Sequence, residues 1–277
     1  MFWDSLTATD FEKAVEACEG VCVLPIGVIE KHGNHLPLGT DMHVSTNVAK
    51  DAAELEKAIV FPYYFMGQIA EARHYPGTVA VSHHLMMQVL REICDEIARN
   101  GCKKILILNA HGGNNHFLPF FAQEQPGVNR DYCVYIRNAG WCTAEQRKAL
   151  EAEVGCDSDN WGEHAGFRES ALLMHLHPEL VKPAEQPAHE GKSFNRLPHL
   201  EKHGIYTGFN WYADFPYHFA GDFSAATPEA GKIFYDAIVK DVAEAIKAIK
   251  KDDVSLRLAK EYVNYGNNPT NKITHEE

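Results

Sequence analysis

The stretch IEKHGNHLPLGTDMH, Ile29 to His43, gathers Glu30, His32, His35, Asp41 and His43. Further on, His111 stands in NAHGGNN, and Glu163, His164 and Glu169 stand in EHAGFRES. Glu30, Asp41 and Glu169 with His32 and His111 make a thiolate-free donor set that suits zinc, manganese or iron. A carboxylate can bridge two cations, whereas an imidazole nitrogen binds one. Two cations sharing a water turn it into a nucleophile. Asp41 is the candidate bridge, because it is the carboxylate lying between two clusters of possible ligands. Simpler readings stand beside this one. Glu30 and His32 could be a solvated pair, and His111 could hydrogen-bond a Gly-Gly turn. Glu169 could be a first-turn residue favoured by the helix dipole. Against them stands the cost of burying several carboxylates at strand ends without a cation.

Such residues need a frame. Val21–Ile29, Lys103–Asn109 and residues 132–138 are apolar runs of strand length. Between and after them come helical patterns. The N-terminal segment reads as an amphipathic helix with a Thr9-x-x-Glu12 capping box. Val44–Ala58 follows, then an extended IVFPYYF. Ser82 caps a helix that stops at Gly101, NHFLPFFAQE is helical despite Pro119, and SALLMHLH carries Glu169 near its start. Thr227-Pro228 opens a helix to about Lys250. The alternation predicts an α/β fold with a central, mostly parallel sheet and helices on both faces. In such sheets ligands bind just beyond the carboxyl ends of the strands. Glu30 and His111 each follow a strand, so neighbouring strands would turn both toward one crevice. Residues 183–226, rich in Pro, Gly, His and aromatics, read as a long excursion, a lid or a subunit contact. A polar tail starts at about 266. With no repeat or linker, 1–277 reads as a single domain.

The bulk properties restrict the partners. The chain has 277 residues and a formal charge of −12, which repels phosphate backbones and anionic lipid. Neither nucleic acid nor membrane is an expected partner, and no targeting segment or spanning run is read. The seven cysteines include no CxxC pair, a pattern of reducing compartments, so the expected location is cytoplasmic. Cys22, Cys102 and Cys133 are expected to be buried thiols.

Four segments, PIGVIEKHGNHLPLGTD, HYPGT, NAHGGN and EHAGFRES, together resemble the signature blocks of the creatininase (creatinine amidohydrolase) family. A weaker block, FAGDFSAATPEAGK, extends the likeness over most of the chain. The resemblance implies a creatininase-like α/β fold, two divalent metal ions per chain (Zn, Mn or Fe), hydrolysis of a C–N amide bond, and a homo-oligomer such as a hexamer. It implies that Glu30, Asp41 and His111 hold one metal and that His32, Asp41 and a second carboxylate hold the other. Creatininase itself resembles N-G-H-Y-E-N at the third block, where its Glu ligates. Here Gly112 and Gly113 replace Tyr and Glu. The Gly-Gly subgroup instead uses the Glu five residues after the HAG histidine, which is Glu169.

The expected mechanism is attack by a hydroxide shared between the metals on a small-molecule, non-peptide amide such as a cyclic amide or formamide. His164, with a pKa near ambient pH, is expected to shuttle a proton to the leaving nitrogen, the plainer reading being a partner that orients Glu169, and Glu163 is expected to orient the His164 ring or contact substrate. Gly112 and Gly113 would let backbone amides approach the oxyanion. His74, Thr78 and Trp161 are expected to line the pocket, with Trp211 and Tyr212 as further walls and His35 as a supporting residue. Two rivals remain: a dinuclear phosphoesterase, which needs basic residues such as Arg73 or Arg168 at the site, and a non-catalytic binding or scaffold protein.

Overall fold

A computed structural model describes residues 1–139, 144–155, 164–185 and 189–270. Four strands form one parallel sheet in the order β2-β1-β3-β4: β1 (Val21–Ile26), β2 (Ile59–Val60), β3 (Lys104–Asn109) and β4 (Cys133–Asn138). The expected parallel sheet with helices on both faces is what the chain builds. Strand alternation explains the two faces. Val21, Val23, Leu106 and Leu108 point into one core, against α2 (Thr40–Leu55), α6 (Phe167–Leu176) and α9 (Pro228–Lys251). Cys22, Leu24, Ile105 and Ile107 point into the other, against α1 (Ala8–Ala17), α3 (His83–Arg99) and α4 (Asn114–Glu124). Burial on both faces is why these strands read as continuous apolar runs.

β1 and β3 are direct neighbours, with Ile26 opposite Asn109. Glu30 and His111 therefore leave the sheet at one end, as the strand-end rule requires. Several boundaries differ from the sequence reading. β1 stops at Ile26, because Gly27 turns away and donates to Tyr64 O at 3.1 Å. α2 begins at Thr40 rather than Val44, its entry fixed by Thr40 Oγ1 donating to Pro37 O at 2.8 Å. This start makes Asp41 a first-turn residue rather than a loop residue. α1 is capped by Thr7, whose hydroxyl accepts from Asp10 N at 3.2 Å, not by Thr9. Cys133 is half-buried, since β4 is an edge strand. The C-terminal region continues as α10 (Val254–Asn267), past the expected start of the tail. Among the described residues of the excursion are two short helices, α7 (Pro198–Glu201) and α8 (Asn210–Asp214). Among the described residues, no helix is long and apolar enough to cross a membrane.

Two close approaches lock the site-bearing elements. A Cβ on Gly27 would lie 2.7 Å from the Asp41 backbone and Cβ, so this glycine lets the start of α2 sit directly on the exit of β1. A Cβ on Gly231 in α9 would lie 1.9 Å from Ala171 O in α6, the helix that carries Glu169. Gly231→Ala is expected to cost about 1–3 kcal/mol through overpacking. Gly208→Ala, in open space, should be near neutral. Urea unfolding of both variants checks this, and equal midpoints would contradict the packing account.

Candidate metal centre

Asp41 is the hub of the cluster. Its Oδ2 lies 3.1 Å from His111 Nδ1, which is also 2.9 Å from Glu30 Oε1. Its Oδ1 lies 3.2 Å from His32 Nε2, which is 3.8 Å from Glu169 Oε2. The two oxygens of one carboxylate thus face two different groups. In each of Glu30–Asp41–His111 and His32–Asp41–Glu169, one potential ligand atom per residue lies within 4.8 Å of the others. Side-chain exposure runs from 0% at His32 to 14% at Glu169, so these charges face one another rather than bulk water.

The surroundings fit a cation. Glu30 Oε1 and Asp41 Oδ2 are buried without a hydrogen-bond partner among the described residues, although His111 Nδ1 is close to both. Each imidazole turns its other nitrogen to a backbone carbonyl. His111 Nε2 donates to Gln68 O at 2.6 Å, and His32 Nδ1 donates to Glu30 O at 3.3 Å. Such outer bonds fix the ring and aim the remaining nitrogen at a metal. Gly113 explains part of this. A Cβ there would lie 2.5 Å from His111 Nε2 and 2.6 Å from Gln68 O, so the glycine makes room for that bond. Around Gly112 nothing lies within 4 Å of a built Cβ. Glu169 also fills its plainer role, accepting from Ala165 N at 2.6 Å ahead of the first turn of α6.

Without cations, protons take their place. Burial would depress the His32 imidazole, but Asp41, with Glu30 and Glu169, lifts it to about 9. Burial opposes the charge on His111 too, yet Glu30 and Asp41 raise it well above the ordinary histidine range. Burial pushes the Glu30 carboxyl up, and His111 and His164 overcome this to hold it well below the usual range. Asp41 is lowered, burial being outweighed by His32 and His111. Glu169 is raised, because burial exceeds the help it receives from His32.

The chain matches the family model described as creatininase, creatinine amidohydrolase, over residues 4–246. It is a member of the creatininase family. The creatinine amidohydrolase of Pseudomonas putida is 27% identical over 193 residues, 65% of this chain and 74% of that one. The mycofactocin precursor peptide peptidase of Mycolicibacterium smegmatis is 26% identical over 251 residues, 88% of this chain and 91% of that one. A mutant creatininase of Zn-Zn type shares the fold with a TM-score of 0.73 at 23% identity, covering 91% of this chain and 98% of that one.

Within this creatininase-family fold, all five expected ligands converge. His164 joins them, its ring 4.3 Å from that of His32 and its Nε2 donating to Lys31 O at 2.8 Å. Its pKa is not near ambient. Burial, helped by His32 and His218, outweighs Glu30 and holds it at about 3. Glu163 and Trp161 lie outside the described residues. His74 is exposed and donates from Nε2 to Pro216 O at 3.0 Å, and Thr78 Oγ1 is buried with no hydrogen-bond partner among the described residues. His35 supports from behind, bonded to Ser170 Oγ at 2.8 Å and stacked on Phe223. Tyr212 is exposed, its ring 5.1 Å from that of His74. His218 is the residue the sequence reading missed. It is buried and hydrogen-bonded to Glu30 Oε2. Its signal was its place directly before FAGDFS, a block recognised without a role assigned to any residue near it.

The protonated imidazoles give a pH prediction. Their folded pKa values are raised, so the stabilisation from their carboxylate pairing is present below the unfolded value of about 6.5. It is lost as pH rises through the folded value, about 9 for His32. Loading the metal-free chain at pH 7 should release about two protons, and cation affinity should climb between pH 7 and 9. Calorimetric titration in buffers of unlike ionisation enthalpy measures this. Zero proton release would contradict imidazoles that are protonated in the metal-free chain at pH 7.

Proposed function

We propose that the chain hydrolyses a C–N amide bond using two divalent cations. Glu30, Asp41 and His111 would hold one; His32, Asp41 and Glu169 would hold the other. The observation that carries this reading is the opposed placement of the two Asp41 oxygens, each within reach of one imidazole. Kinship with a creatinine amidohydrolase and a peptide peptidase, both acting on C–N bonds, supports the reaction class. The chemistry supplied by bound divalent ions is Lewis acidity, which polarises a carbonyl and acidifies water.

The chain's own groups do the rest. Open space at Gly112 lets a substrate reach the backbone beside His111. With its Nε2 proton committed to Lys31 O, His164 can accept a proton at Nδ1. Its pKa of about 3 keeps it neutral at pH 7 and makes it a weak base, so a shuttle through His164 would need negative charge developing beside it to hold the imidazolium. The Gly-Gly sequence lacks the Tyr and Glu of creatininase's third block, which favours an amide other than creatinine. The phosphoesterase rival would call on Arg168, whose Nη2 lies 3.8 Å from Glu169 Oε1, and a substrate panel decides between them.

Metal-loaded protein should turn over at least one class among cyclic amides, formamides and short peptides, and leave phosphate esters intact. Asp41→Asn should lower that turnover at least about 100-fold. Turnover confined to phosphate esters, or full activity in Asp41→Asn, would contradict the proposal.

A further inference from the structure

Glu30 is held from a direction that the metal ligands do not explain. His218 Nε2 is hydrogen-bonded to Glu30 Oε2, and His218 Nδ1 accepts from Trp211 Nε1–H at 3.0 Å. An indole nitrogen is a donor only, so Trp211 obliges His218 Nδ1 to be the acceptor. The proton of the neutral ring then sits on Nε2 and points at the carboxylate. The order Trp211 to His218 to Glu30 is fixed by donor chemistry, whatever tautomer His218 would choose alone.

The backbone around His218 bears the cost of placing it there. Its φ of 53° lies in the left-handed region, where a residue other than glycine is strained. Its ring is 2% exposed and packs edge-on against His164 at 4.4 Å. Three donors pin the turn that presents it. His74 Nε2 and Tyr75 OH both donate to Pro216 O, at 3.0 and 2.9 Å, and Lys31 Nζ donates to Tyr217 O at 3.0 Å. Gly33 N adds a long bond to the carbonyl of His218 itself, at 3.4 Å. Residues 74 and 75 of the HYPGT block thus clamp the segment that carries His218.

We propose that Trp211 and His218 form a positioning pair that occupies Glu30 Oε2 and so leaves Oε1 as the oxygen offered to a cation with Asp41 and His111. This rests on the reading of the cluster as a two-cation centre. Neither residue need touch the substrate. Glu30 groups with Asp41 and His111, and also with His32 and His164, but it is absent from the set His32, Asp41 and Glu169. Under the two-cation reading the effect therefore falls on the cation held by Glu30, Asp41 and His111.

The selectivity supplies the test. Manganese or zinc is titrated calorimetrically into the metal-free full chain, wild type and variants, with folding checked by circular dichroism. In His218→Ala one of the two binding steps should weaken about 10–100-fold, the range for loss of an outer-shell partner, while the other stays within about 3-fold. His218→Gln, which keeps a side-chain N–H donor, should recover most of the loss. Trp211→Phe keeps the ring and removes the N–H; it should weaken the same step less, and it keeps the test open if the alanine variant does not fold. If wild type binds no cation, the metal reading fails and this inference with it. If wild type binds two and the foldable variants bind both equally well, or weaken both steps alike, the positioning pair is overturned while the metal reading stands.

Discussion

Asp41 is a buried carboxylate asked to serve two sides at once. A lone carboxylate in that position would be heavily penalised for leaving water. Here its charge is answered on one side by His111 and on the other by His32, each about 3 Å away. Everything around it follows from keeping those two distances. Gly27 lets α2 descend onto the end of β1, because any side chain there would strike Asp41. Adjacent β1 and β3 bring Glu30 and His111 to the same end of the sheet. α6, seated closely on α9 at Gly231, delivers Glu169.

The rings depend on carbonyls rather than on acids behind them. Gln68 O holds His111, Glu30 O holds His32, and Lys31 O holds His164. Two of those carbonyls belong to the first strand-end loop itself. The stretch IEKHGNHLPLGTDMH therefore supplies ligands and also the backbone acceptors that aim them. A carbonyl partner leaves each imidazole neutral when a cation takes the proton's place, so the charge balance of the centre stays with the three carboxylates.

Much of this was legible in the sequence. The apolar runs at 21–29 and 103–109 marked β1 and β3 because strands covered on both faces must be apolar throughout. Glu30, His32, Asp41, His111 and Glu169 stood out because carboxylates and imidazoles beside strand ends are costly without a cation. What escaped notice had non-local causes. Asp41 fell outside the helix read from Val44, because Thr40 and Pro37, a weak local signal, set the start of α2. His218 was hidden in an aperiodic segment, since its role rests on a hydrogen bond to a residue 188 positions away. The pKa of His164 depends on its burial and on two neighbouring histidines, neither of which its own segment reveals. Gly113 was read as letting its backbone amide approach an oxyanion; its tight side faces Gln68 and His111.

The central claim is that one aspartate joins two cation sites. Anomalous X-ray diffraction from metal-loaded crystals, collected at the metal edge, tests it most directly. The account predicts two peaks per chain, one among Glu30, Asp41 and His111 and one among His32, Asp41 and Glu169, with Asp41 touching both. A single peak, or two peaks of which one stands clear of Asp41, would contradict it.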